Sequence, residues 1–216
     1  GRATFVGSGS DGWTALHFAA HWGRAKVAGI LLENGARVDA RNDACDTPLC
    51  RAARMQKVEM AKALIDAGAN VNTEGQHRWR PLHSAAKGDK PQLVRALIEG
   101  GADVNARTML GHTPLYEALM NAENIAVVRL LLENGADPNP ASKSGYRALS
   151  LASSPQVVRL CVEAGADVNA KGHEGMTVLH RAVERGNKEV VKELLEAGAD
   201  VQKKRNDGKT PLDLAM

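Results

Sequence analysis

Apolar and polar positions repeat along this chain with a period far longer than any helix or strand. A Gly-Ala pair recurs at Gly35, Gly68, Gly101, Gly135, Gly165 and Gly198, at spacings of 33, 33, 34, 30 and 33. The residue before a fixed Leu runs Ala15, Pro48, Pro81, Pro114, Ala148, Val178 and Pro211, at spacings of 33, 33, 33, 34, 30 and 33. Two independent markers in one phase define a repeat architecture, and self-similarity of this kind outranks any element-by-element reading. Each unit predicts two helices. Asp11-Gly12-Trp13-Thr14-Ala15-Leu16-His17 opens the first unit, and Leu31-Leu32-Glu33-Asn34-Gly35-Ala36 closes its second helix.

The polar punctuation has a mechanism at each point. Thr14, Thr47, Thr113, Thr177 and Thr210 stand where a hydroxyl caps the first helix. Pro at the next position suits the first helical residue, whose N–H would have no partner in any case. The recurrent Gly supplies a left-handed residue after the second helix. Val38-Asp39, Val71-Asn72, Val104-Asn105 and Val168-Asn169 then carry the chain into a turn before the next unit.

In these features the chain resembles the ankyrin repeat family. The resemblance rests on Thr47-Pro48-Leu49, Pro81-Leu82-His83, Thr113-Pro114-Leu115 and the Gly-Ala-Asp-Val-Asn segments, and it covers roughly residues 11–216. It implies an all-α fold: an ankyrin repeat solenoid of stacked helix-turn-helix units with short β-hairpin fingers, in which each unit touches its neighbours. The units run over about 11–41, 42–74, 75–107, 108–141, 142–171 and 172–204, with a half-repeat at 205–216, and form a single domain. Residues 1–10 read as a linker or tag-like segment.

Departures from the pattern locate irregularity. Arg80 and Arg147 replace the capping Thr, which costs each helix start about 1 kcal/mol. The fourth unit has one extra residue between Pro114 and Gly135. The fifth lacks three between Ala148 and Gly165, so that Ser153-Ser154-Pro155 links two shortened helices. Pro138 and Pro140 remove two donors from the adjoining finger. The expectation is an irregular, bent stretch over 134–156.

Composition narrows the function. Apolar residues are 44% of the chain but aromatics only 3%, so the core must be built from Ala, Leu, Val and Ile. The net charge of +3 describes an interleaved surface, not a nucleic-acid-binding stripe. No apolar run approaches the roughly 20 residues of a membrane span, and no charged-apolar-small leader is present. Three cysteines cannot all pair, and no N-x-S/T sequon occurs; both fit a reducing intracellular compartment, cytoplasmic or nuclear.

Other motifs give way to the repeat. Gly7-Ser8-Gly9-Ser10-Asp11-Gly12 matches a dinucleotide fingerprint in spelling only, because no βαβ pattern surrounds it. His17 and His21 have a metal-binding spacing but no completing ligand. His17, His83 and His180 occupy the position whose imidazole, in the family, bonds locally and knits units together. Cys45 and Cys50 have no base at catalytic spacing, and a solenoid offers an open surface for chemistry that prefers an enclosed one. Lys203-Lys204-Arg205 reads as a solvated finger tip. The reading is therefore a non-enzymatic chain with no cofactor and no metal.

What remains are positions the repeat does not dictate: the finger residues before the cap and two near the end of the first helix. In the family these line the concave face and bind partner proteins. Here they are Trp13, His21 and Trp22; Asp46, Arg54 and Met55; His77, Trp79 and Lys87; Leu110, His112, Met120 and Asn121; and Tyr146, Met176 and Arg185, joined by Ser144, Glu174 and Glu184. Tryptophan, Tyr and Arg dominate binding hot spots, and Met55, Met120 and Met176 add adaptable apolar contact. The expected function is a monomeric protein-interaction module, with Trp13, Trp22 and Trp79 as anchors and Arg54, Arg78, Lys87 and Arg185 favouring a partner with apolar and acidic groups. On this reading all three Trp can be replaced by Ala without loss of fold. The alternative is a targeting or regulatory segment of a larger enzyme, channel or secreted effector, favoured by the missing initiator Met and the end at Met216.

Overall fold

The structure, a computed structural model, describes residues 11–120 and 125–215. The segment 1–10, with four of the six residues of the fingerprint-like stretch, and Asn121 lie outside the described residues. Packing groups the chain into two compact units, Gly1–Met109 and Leu110–Met216.

The first unit holds three helix pairs: α1 (Ala15–Trp22) with α2 (Ala25–Glu33), α3 (Pro48–Arg54) with α4 (Val58–Asp66), and α5 (Pro81–Lys87) with α6 (Pro91–Glu99). The inner helices α1, α3 and α5 lie side by side, and so do the outer helices α2, α4 and α6. Leu16, Leu49 and Leu82, each two residues after its cap, are buried with Ala20, Ala53 and Ala86 between the layers. Small residues let the inner helices approach closely, which is why a core of this kind needs few rings.

The second unit holds α7 (Pro114–Leu119), α8 (Ile125–Glu133), α9 (Pro155–Glu163), α10 (Val178–Glu184), α11 (Lys188–Glu196) and α12 (Pro211–Leu214). Its inner layer is α7, a 3-10 turn at Ala148–Leu151, α10 and α12; its outer layer is α8, α9 and α11. The expected pair of shortened helices in the fifth repeat is corrected. Only the inner one shrinks, to that single 3-10 turn, while the outer helix keeps nine residues because Pro155 starts it. Cys161 fills the place held by Leu64, Leu97, Leu131 and Leu194 elsewhere, fully buried as a small hydrophobe.

Every predicted Thr cap is made. Thr14, Thr47, Thr113, Thr177 and Thr210 each accept a backbone N–H from the residue three positions on. Arg80 and Arg147 cap nothing with their side chains. Arg80 instead bridges Glu74 and Asp103, both at 3.2 Å. The six repeat glycines all have φ between 82° and 93°, the left-handed region where a β-carbon is strained.

The fingers are short hairpin-like turns with no continuous β ladder among the described residues. Five of them carry a backbone bond across the base: Asn42 N–H to the Asp46 carbonyl (3.1 Å), Gly75 to Trp79 (2.9 Å), Ser142 to Tyr146 (2.9 Å), Gly172 to Met176 (2.8 Å) and Arg205 to Lys209 (3.0 Å). Arms this short cannot propagate a ladder, and among the described residues only an isolated bridge, Ala141 with Arg147, has β pairing. Within each unit neighbouring fingers are tied by a further backbone bond, such as Met109 N–H to the His77 carbonyl (2.9 Å) and Lys143 N–H to the Leu110 carbonyl (2.8 Å). The Asn after the recurrent Val is a strap. Asn72 Nδ2 donates to the Gly101 carbonyl at 2.9 Å, and its Oδ1 accepts Asp103 N–H at 2.8 Å.

Candidate functional site

The position three residues after each cap belongs to the scaffold. His17 Nδ1 receives both the Thr14 N–H (3.1 Å) and the Thr14 hydroxyl (2.8 Å). Nδ1 is therefore an acceptor and the ring proton sits on Nε2, which donates to the Asp46 carbonyl of the next repeat at 2.9 Å. Burial pulls the His17 pKa down from its usual 6.5, outweighing the opposing pull of the Asp46 carbonyl. His83 reaches the Ala106 carbonyl (3.0 Å) and His180 the Lys209 carbonyl (3.2 Å) in the same way. These imidazoles link repeats. Among the described residues no group of three or more His, Cys, Asp or Glu is placed to hold a metal.

In the first four repeats the finger residue just before the cap is tied to the residue four beyond that cap, on its own inner helix. The Trp13 ring meets Phe18 at 4.9 Å. The Asp46 carboxylate lies 3.9 Å from Arg51. Trp79 Nε1 donates to Ser84 Oγ at 2.7 Å, and His112 Nδ1 meets Glu117 at 2.8 Å. These positions, free in the repeat pattern, are thus partly consumed by the fold. Asp46 is the clearest correction: it is 1% exposed and its oxygens lie on Arg54, at 3.1 Å each. It offers a partner nothing directly but holds Arg54 in place. Gly75 leaves room for it, since a β-carbon there would sit 2.6 Å from Asp46 Oδ1.

The predicted residues fall into two groups, one in each unit. In the first, His21, Arg54 and Lys87 occupy one repeat position on α1, α3 and α5, and so form a row across three adjacent inner helices. Trp22 and Met55 stand in the next row; Trp22 is 66% exposed and Met55 37%. Trp13 is half-buried under Arg51, whose guanidinium lies 4.2 Å from the ring centroid, a cation–π contact. Trp79 is half-buried on Ser84 and His83. His77 sits at a finger apex with a left-handed backbone and an exposed ring, beside Arg78, which pairs with Glu74 at 3.3 Å.

In the second unit Leu110 and Met120 are exposed, while His112 is stacked on Tyr116 at 4.1 Å and bonded to buried Glu117. Tyr146 stacks on His173 at 4.6 Å, and Met176 is half-buried. Ser144 and Glu174 are exposed finger residues; Glu184 receives Arg205 at 2.9 Å. Arg185 donates to the Ser150 carbonyl at 3.1 Å.

Sequence reasoning missed Arg51 and Arg181, which share one repeat position and face the rings of Trp13 and Tyr146. The signal was present as complementary pairs five residues apart, Trp13/Phe18, Asp46/Arg51, Trp79/Ser84 and His112/Glu117. Of the three thiols Cys45 is exposed. Cys50 and Cys161 are buried, and burial pushes Cys161 up to about 12. Among the described residues no helix is long and apolar enough to cross a membrane.

Capped helix pairs, inter-repeat imidazoles and variable inner-helix positions define an α-helical repeat protein that presents side chains on a regular scaffold. The family described as "Ankyrin repeats (3 copies)" matches residues 3–75, 49–142 and 146–216. The chain belongs to the ankyrin repeat family. Among solved structures it is similar to the ankyrin repeat domain of Bcl-3, a member of the IkappaB protein family, with 33% identity, 96% of each chain covered and a TM-score of 0.82. The human ASB11 ankyrin repeat domain is 29% identical, over 94% of this chain and 92% of that one, with a TM-score of 0.85. An ankyrin repeat domain from Acinetobacter baumannii AYE is 30% identical, over 86% and 98%, with a TM-score of 0.79. No curated protein matches the chain. Ankyrin repeat domains are generally protein–protein interaction modules and typically non-enzymatic scaffolds.

Proposed function

We propose that this chain is a non-catalytic module that binds a partner protein through the inner-helix face of its first unit, the concave face in the family. The observation that carries the reading is the pairing of two rows across adjacent helices, exposed Trp22 and Met55 beside His21, Arg54 and Lys87. Trp22 offers a large rigid contact at low entropic cost. Asp46 balances only one of the two guanidiniums it faces, Arg51 and Arg54, so with Lys87 this surface keeps net positive charge. The partner therefore has an apolar side chain flanked by acidic ones. The same reading places the chain in a reducing intracellular compartment, supported by three free thiols.

Trp22→Ala tests this directly, with affinity capture, mass spectrometry and titration of the captured protein. Binding falls at least about tenfold with the melting temperature unchanged, as for an exposed hot-spot ring. Trp79→Ala lowers the melting temperature, because it removes a part-buried bond to Ser84. Equal binding by wild type and Trp22→Ala overturns the reading.

A further inference from the structure

The second unit contains a feature that the repeat pattern does not require. Between the short inner element of the fifth repeat, Ala148–Leu151, and the first turn of α10 lies a cleft lined by residues of both repeats. The cleft is shallow and open to solvent, and Tyr146, Arg147, Ser150, His173, Thr177 and Arg181 line it.

Its charge is unbalanced. Arg147 spends its donors on neutral carbonyls, Lys171 at 3.2 Å and Asn139 at 3.4 Å. Arg185, at the rim, donates to the Ser150 carbonyl at 3.1 Å. Burial, and then the neighbouring charge of Arg181, pull the Arg185 guanidinium below its usual value. Arg181 has a long 3.8 Å approach to Glu184, whose other oxygen is held by Arg205 at 2.9 Å. His173 lies 3.7 Å from exposed Glu174. None of the residues lining the cleft is an Asp or a Glu.

The comparison with the first unit shows what the geometry can accept. Arg51 closes on the Trp13 ring at 4.2 Å, whereas Arg181 stands off the Tyr146 ring at 5.9 Å. The first stack is shut; the second is open at its edge. A planar carboxylate is the group that matches a guanidinium fork bidentately, and the Tyr146 face can cover the methylenes that carry it.

We propose that this cleft is a specificity pocket for one acidic side chain of a bound protein, with Arg181 as the carboxylate receptor and Tyr146 as the stacking wall. The proposal rests on the reading of the chain as a protein-binding module but not on the surface assigned in the first unit. The test titrates the whole protein with N-acetyl-glutamate amide and, in parallel, N-acetyl-glutamine amide, following arginine Nε–Hε signals by NMR. The glutamate probe shifts Arg181 saturably, with a Kd on the order of 1–10 mM for a single charge-assisted pair. The glutamine probe binds at least about tenfold more weakly. Arg181→Gln removes the effect, and Tyr146→Ala weakens it with the fold retained by circular dichroism. Equal shifts from both probes overturn the pocket, as does an Arg181 shift no larger than that of exposed Arg95 or Arg129. If the glutamate probe binds while no protein is captured through Trp22, the pocket stands and the first-unit reading fails; the converse outcome removes only the pocket.

Discussion

The second and fifth repeats start from the same pattern and end as different structures. In the second, Thr47 caps, Pro48 opens and α3 runs for seven residues, burying Leu49, Ala52 and Ala53. In the fifth, Arg147 stands at the cap with no acceptor to offer, and Pro155 begins the outer helix only a few residues later. The chain between has room for one 3-10 turn. Ser150 takes the place held by His17, His83 and His180 in the repeats with a linking imidazole, and its hydroxyl donates back to the Arg147 carbonyl at 2.6 Å. Beyond the short turn the next repeat supplies the contacts, with Arg185 reaching the Ser150 carbonyl and Asn187 the Ser153 carbonyl. A three-residue deletion in a repeat thus removes a local element without disturbing the register of the next one, because each repeat is held mainly by its neighbours.

The largest expected difference between the two repeats is in the core. Leu49→Ala costs about 2–5 kcal/mol in a urea unfolding experiment, as a fully buried Leu should. Leu151→Ala, half-buried at the end of the short turn, costs about 1 kcal/mol. Equal losses would mean that the 3-10 turn is packed as well as α3. A smaller effect comes from capping. Thr47→Ala destabilises by about 1 kcal/mol, while Ser154→Ala, whose hydroxyl makes no cap bond, stays within about 0.5 kcal/mol. The smallest concerns the inter-repeat link. The folded His17 titrates below 6.5 by proton NMR, because its environment favours the neutral ring. Below pH 6.5 the unfolded chain takes up a proton that the folded one refuses, so this contribution to stability is present above 6.5 and is lost as pH falls through the folded value. Ser150 carries no titrating group, so the corresponding link in the fifth repeat adds no such acid dependence. A His17 midpoint at or above 6.5 contradicts the assignment.

Legibility differed sharply between scaffold and surface. The caps at Thr14, Thr47, Thr113, Thr177 and Thr210, the left-handed glycines and the linking histidines could all be read from the chain, because each depends on contacts within a few residues or one repeat away. The finger residues could not be read so simply. Trp13, Asp46 and Trp79 share a variable position that suggests free surface, yet each is bound by the residue five further on. Only Trp22 among the tryptophans stands largely clear. The replacement of all three Trp is accordingly expected to cost stability as well as binding, since Trp79 carries a part-buried hydrogen bond to Ser84.

The sequence by itself determined the repeat, its register, its caps and the place where it breaks, because periodic burial and helix termination are local demands repeated seven times. Tertiary structure decided which variable residues are free. That question turns on whether a neighbouring side chain supplies a partner, and such partners are chosen by geometry between elements. It also decided where an open, cationic cleft forms, because Arg147 comes from the shortened repeat and Arg181 from the next helix pair, and only packing brings them to one place.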